Sequence, residues 1–117
     1  MQDHKKLIVW KKAHELTLNV YKVTKGFPRE EIYALTSQIR RASSSVAINI
    51  VEGCGRKTNL DKAHFMQMAF SSAQETEYIL FLSFELGYLE AETFSVLEKQ
   101  ATEIKTMLNA LIKKIRG

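Results

Sequence analysis

Gln38-Ile-Arg-Arg-Ala-Ser-Ser-Ser-Val-Ala-Ile-Asn-Ile-Val-Glu-Gly-Cys-Gly-Arg-Lys57 is a twenty-residue run that must be either a helix or a strand, and the rest of the chain follows from which. Ile39, Ala42, Val46, Asn49 and Gly53 are separated by three, four, three and four residues, the spacing that keeps one helix face turned to a partner. Ala42, Ser43, Ser44, Ser45 and Ala47 are small, so a second backbone can approach closely. Asn49 is polar on an otherwise apolar seam and needs a hydrogen-bond partner to offset its desolvation. Val46 to Val51 reads locally as a strand, but no second strand lies nearby to pair with it, so burial decides for helix. The expected helix stops at Gly53-Cys54-Gly55 and opens into the basic pair Arg56-Lys57.

Working outward, the same periodicity recurs on both sides. Val9, Ala13, Leu16, Val20, Val23 and Phe27 step 4-3-4-3-4 and predict a first helix over 7–25, with Gly26 as its cap and Phe27-Pro28 as its stop. Pro28 suits a first helical position and Glu30 and Glu31 suit a helix start, which places the second helix at 29–52. Thr58-Asn-Leu-Asp61 resembles a capping box and opens a third helix over 59–86, closed by Gly87. That helix is apolar nearly all round in its C-terminal half. Phe94, Leu97, Ala101, Ile104, Leu108, Leu111 and Ile115 give a fourth helix over 91–115, acidic early and basic late as the helix dipole favours. The expectation is an all-α, up-down-up-down antiparallel four-helix bundle in one domain. Surplus apolar surface on the third helix, with Leu18 and Tyr21 on the first, points to homo-oligomerisation.

Composition narrows the function classes. The 117 residues are 45% hydrophobic and 26% charged, in the ordinary globular range. The single Cys54 permits no internal disulfide and no thiolate metal cluster. No charged-then-apolar leader is read at the start and no apolar run approaches a membrane span, so a cytoplasmic protein with no membrane partner is expected. Of the net charge of +4, the part up to Lys62 carries twelve Lys/Arg against six Asp/Glu, and the remainder five against seven. A basic half raises the case for a polyanionic partner.

Gly53-Cys-Gly-Arg-Lys-Thr58 superficially resembles a phosphate-binding loop, but the Walker spacing and its preceding strand are both missing. What remains is that N–H groups at the start of the third helix, beside Arg56 and Lys57, suit a backbone phosphate. Arg40, Arg41, Arg56, Lys57 and Lys62 form the main candidate basic patch, and Lys11 and Lys12, with Lys5 and Lys6, a second. Arg40 and Arg41 stand equally open to pairing with glutamates within or between subunits. Without a motif of exposed aromatics, binding would be backbone-directed and salt-sensitive. Glu75 and Glu77 lie on apolar stripes. The Glu-x-x-His repeats of a di-metal bundle are missing, and His4, His14 and His64 show no ligand spacing. Asn49, Ser72, Glu75 and Glu77 are therefore expected to form a buried polar network, with the glutamates bonded to Asn49, Ser72, Trp10 or an arginine. No metal, cofactor or catalytic residue is expected.

The run Leu7-Ile-Val-Trp-Lys-Lys-Ala-His-Glu-Leu16, then Val20-Tyr-Lys22 and Phe27-Pro28, resembles the opening of the bacterial 23S rRNA intervening-sequence proteins. The likeness continues through Leu35-Thr-Ser-Gln-Ile-Arg-Arg-Ala42, Asn49-Ile-Val-Glu-Gly-Cys-Gly-Arg56, Ser72, Glu75, Glu77, Leu86-Gly-Tyr-Leu89 and Met107-Leu-Asn-Ala-Leu-Ile112, essentially the whole chain in order. Ala47 replaces a proline common in the family, and Cys54 a phenylalanine between the two glycines. The resemblance implies an all-helical bundle assembling as a ring-like homopentamer with a basic surface, similar to retroelement accessory proteins that bind nucleic acid. It implies no settled molecular activity. The expectation is thus a non-enzymatic homo-oligomer that binds RNA or DNA through its basic surface; the alternative is a scaffold that docks a protein partner.

Overall fold

The structure, a computed structural model, describes residues 3–117. Four long helices account for most of it: α1 Ile8–Thr24, α2 Leu35–Cys54, α3 Asn59–Glu85 and α4 Ala91–Arg116. Among the described residues there is no strand. Short 3₁₀ turns, His4–Lys6 and Arg29–Glu31, precede α1 and α2. Each helix packs on two others, α2 on α1 and α3, and α4 on α3 and α1, so the four share one core.

The core is built from the periodic positions. Val9, Ala13, Leu16 and Val20 of α1 meet Ile39, Val46 and Ile50 of α2, Met66, Ala73 and Leu80 of α3, and Leu97, Ile104 and Leu108 of α4. Polar contacts fix which residues face each other. Thr17 bonds to the Ser43 carbonyl and Arg40 to Thr24 across α1 and α2; Ser72 bonds to Ser45 across α2 and α3. Glu77 meets Lys105 across α3 and α4, and Asn19 meets Gln100 across α1 and α4. Burial holds Val46–Val51 helical in spite of its β-branched residues, as expected.

Three local readings differ from expectation. The second helix begins at Leu35 rather than 29, because Pro28 starts a 3₁₀ turn and Ala34, with φ −122° and ψ −103°, breaks the path into α2. The Glu31 carboxylate then accepts from the Leu35 N–H at 3.3 Å and serves the start of α2 from outside it. Gly26 is not a left-handed cap; α1 unwinds through Lys25 in ordinary helical geometry toward Pro28. Gly53 lies inside α2, which runs on to Cys54. Gly87 does cap α3. At φ +83° it lets its own N–H reach the Phe84 carbonyl and the Tyr88 N–H reach Ser83, closing the helix end.

Candidate nucleic-acid interface

The corner between α2 and α3 holds three of the expected cations. Gly53 makes the corner tight: a Cβ placed there would lie 2.9 Å from Met66 Cε, 3.2 Å from Phe65 Cβ and 3.4 Å from the Lys62 carbonyl oxygen. Only a residue without a side chain lets α3 approach so closely. Beyond it Arg56 lies with its guanidinium 4.5 Å from the centre of the Phe65 ring and an amino group 3.4 Å from Glu52. Lys57 is exposed and Lys62 half-exposed, and neither is in an ion pair among the described residues. Thr58 caps α3 by accepting from the Asp61 N–H at 3.1 Å. With that N–H used and the Asp61 carboxylate in the first turn, the helix start is a poorer phosphate holder than the sequence suggests.

The remaining expected cations do not join this corner. Arg40 and Arg41 stand about 22 Å back along α2 at 1.5 Å per residue. Arg40 turns toward α1, donating from Nε to the Thr24 hydroxyl at 2.9 Å and covering the Tyr21 ring at 4.7 Å. Of the two roles left open for it, a glutamate pairing is not formed among the described residues; a hydroxyl and an aromatic face, both on α1, engage it instead. Arg41 shares with Glu75, Gln38, Ser45 and Tyr33 a groove of about 520 Å³ between α2 and α3. Lys12 is spoken for by Glu103 at 3.0 Å, whereas Lys11 is exposed. Arg116 belongs to neither of the two basic patches expected from the sequence. The structure sets it against Leu60, Asp61, His64 and Gln67 in one hollow at the start of α3. Its basic last turn was visible, but its neighbour in space was not.

The expected polar network divides in two. Asn49 donates to the Ser45 carbonyl at 2.8 Å and lies 3.1 Å from the Ser45 hydroxyl, which also accepts from Ser72. Glu75 is exposed and Glu77 faces α4, where it accepts from Lys105 and Thr102, both at 2.9 Å. The network is corrected accordingly: Asn49 is satisfied within its own helix, because Ser45, one turn earlier, offers two acceptor oxygens. Ser72 alone links it to α3. Trp10 stacks on His14, with His4 against its edge, so its ring is used within the chain. Cys54 is buried beneath the corner, and burial raises its thiol pKa while Lys62 pulls it back. Among the described residues no group of three or more His, Cys, Asp or Glu side chains is placed to hold a metal ion, and no helix is long and apolar enough to cross a membrane.

Comparison with known proteins gives the chain its relatives. A structure from Bacteroides thetaiotaomicron VPI-5482, described as a protein with unknown function from the S23 ribosomal protein family, superposes with a TM-score of 0.84 at 27% identity. The match covers 91% of this chain and 96% of that one. No curated protein matches the chain. The family model described as 23S rRNA-intervening sequence protein matches residues 5–110, which take in α1, the α2–α3 corner and most of α4. The chain belongs to the 23S rRNA-intervening sequence protein family.

Proposed function

We propose that the protein is a non-enzymatic, homo-oligomeric, antiparallel four-helix bundle that binds nucleic acid in the cytoplasm through exposed cations. The observation that carries the reading is the α2–α3 corner, where Lys57 and Lys62 lie beside Arg56 and, among the described residues, form no ion pairs of their own. Free ammonium groups on a fixed helix corner suit a phosphate backbone, which is met by charge more than by shape. The family description, naming an intervening sequence of 23S rRNA, agrees with a nucleic-acid setting. The pairings Thr17–Ser43 and Arg40–Thr24, in which residue numbers rise on α1 as they fall on α2, support the antiparallel arrangement. Exposed Tyr78 and Phe81 on α3 support self-association, which we read as a homopentamer.

A salt titration of binding to generic RNA and DNA tests the reading. Binding at low salt that weakens steadily with added salt is the expected result. No binding at low salt overturns it. The second reading, a scaffold for a protein partner, draws on Tyr33, which is 95% exposed beside the α2–α3 groove. A stoichiometric protein captured after nuclease treatment, together with no nucleic-acid binding, would establish it instead.

A further inference from the structure

Segments far apart in the chain bring their cations to one end of the molecule. The close approach at Gly53 sets Arg56 and Lys57, at the end of α2, beside Lys62 on α3. The turn His4–Lys6 packs on both α1 and α2, with Asp3 near enough to act on the Cys54 thiol, so exposed Lys5 and Lys6 arrive at the same end. Arg116, in one hollow with Leu60 and Asp61, brings the last turn of α4 there, with Lys113 and Lys114. Eight cations thus meet three carboxylates, Asp3, Glu52 and Asp61, and among the described residues the one ion pair in this group is Arg56 with Glu52.

The opposite end carries no such excess. The Tyr88 hydroxyl donates to Glu31 at 2.8 Å, which ties the Arg29–Glu31 turn to the connection between α3 and α4. Glu30, Glu31, Glu85, Glu90 and Glu92 collect there against Lys22, Lys25, Arg29 and Arg40, the last in one hollow with Lys25 and Arg29. The molecule is 43 Å long and 24 by 20 Å across, so the basic cluster is separated from this balanced end by most of its length.

We propose that the nucleic-acid contact is this basic end as a whole, docked end-on against the phosphate backbone with the opposite end pointing away, and that Arg40 and Arg41 take no part. The inference rests on the nucleic-acid reading above and adds the location and orientation of the contact. A duplex carries one charge per ~1.7 Å of axis, so an end face of this width spans several phosphates. Trp10 is stacked on His14 and Phe65 lies under Arg56, so the aromatic rings here are engaged within the chain and contact falls to the cations.

The test compares two charge-matched variants of the full chain, using fluorescence anisotropy with a labelled duplex DNA and a labelled single-stranded RNA. One carries Lys57→Gln, Lys113→Gln, Lys114→Gln and Arg116→Gln at the basic end. The other carries Lys22→Gln, Lys25→Gln, Arg41→Gln and Lys99→Gln elsewhere. All eight positions are exposed, so both variants should keep the fold, as circular dichroism will check. The basic-end variant should bind about 100-fold more weakly at moderate salt, with a log–log salt slope shallower by about three to four. The control should stay within about threefold of the parent. Equal weakening of both variants overturns the inference but leaves nucleic-acid binding in place. No binding by the parent at low salt overturns the nucleic-acid reading itself. Binding to anionic phosphatidylserine vesicles but not to either nucleic acid assigns the end to a lipid surface and overturns the inference.

Discussion

At Gly53 a single hydrogen atom in place of a side chain sets how close α3 comes to α2. Gly53→Ala improves helix propensity by ~1 kcal/mol but drives a methyl into Met66, Phe65 Cβ and the Lys62 carbonyl. Met66 Cε can swing aside; the other two cannot. Overpacking of this kind costs about 1–3 kcal/mol, so net of the propensity gain the change should be a loss of up to about 2 kcal/mol, read as a lower urea midpoint at unchanged slope. Gly55→Ala, whose nearest neighbours stand at 3.5 and 3.8 Å, should be neutral or slightly stabilising in the same experiment. Cys54, next in the chain, gives a pH prediction. Burial raises its pKa above 9.0, so the unfolded thiol ionises first as pH rises. Its contribution is complete below pH 9 and declines through the folded pKa; Cys54→Ala should remove that part of the alkaline loss. A maleimide should label Cys54 slowly in buffer and fast in urea. The seam position of Asn49 was legible in the sequence, its partner was not. Period fixes which way a side chain points; whether the acceptor is one turn away or one helix away depends on side-chain reach, which periodicity does not encode.

Among the elements, α1, α3 and α4 begin and end within about a residue of their sequence bounds, because each carries an uninterrupted 3-4 rhythm and a recognisable stop. The start of α2 was misplaced since Pro28 and the acidic pair Glu30-Glu31 are equally good signals for a 3₁₀ turn, and propensity does not separate the two. What holds that turn is remote: Tyr88, between α3 and α4, donates to the Glu31 carboxylate that also receives the Leu35 N–H. Tyr88→Phe should therefore speed hydrogen exchange at the Leu35 amide while leaving amides near Ile39 and Val46 slow. Equal acceleration throughout α2 would show that the bond supports the whole helix and not its start. The α3–α4 seam offers a second measurement. Glu77 and Lys105 are each about a quarter exposed at 2.9 Å, between the limits of a surface pair and a buried one. A double-mutant cycle with Glu77→Gln and Lys105→Met should give a coupling of about 0.5–1 kcal/mol that shrinks in high salt.

For the whole molecule, counting charge along the chain put the basic residues in the first half, and that count concealed the arrangement in space. The helices return on themselves, so the cations of the last turn of α4, assigned to the acidic half, lie against the start of α3. Charge polarity is a property of the packed helices and emerges only when their ends are matched. Surplus apolar surface, by contrast, was legible early: α3 has more apolar positions than its two neighbouring helices can cover. Tyr78 remains 61% exposed and Phe81 47%, while Leu18 on α1 remains 56% exposed. Apolar residues scattered singly are normal on a surface, but Tyr78 and Phe81, three apart on one helix, form a neighbouring pair. If that pair is an interface between copies, sedimentation equilibrium at micromolar concentration should give a mass several times 13.4 kDa, five times for the homopentamer. Tyr78→Ser with Phe81→Ser should then lower the mass toward 13.4 kDa without loss of helical signal, because neither side chain contributes to the buried core. A parent chain that sediments as a monomer would remove the oligomer. A variant that keeps the parent's mass would place the interface on another face, with Leu18 and Tyr21 of α1 the next positions to change.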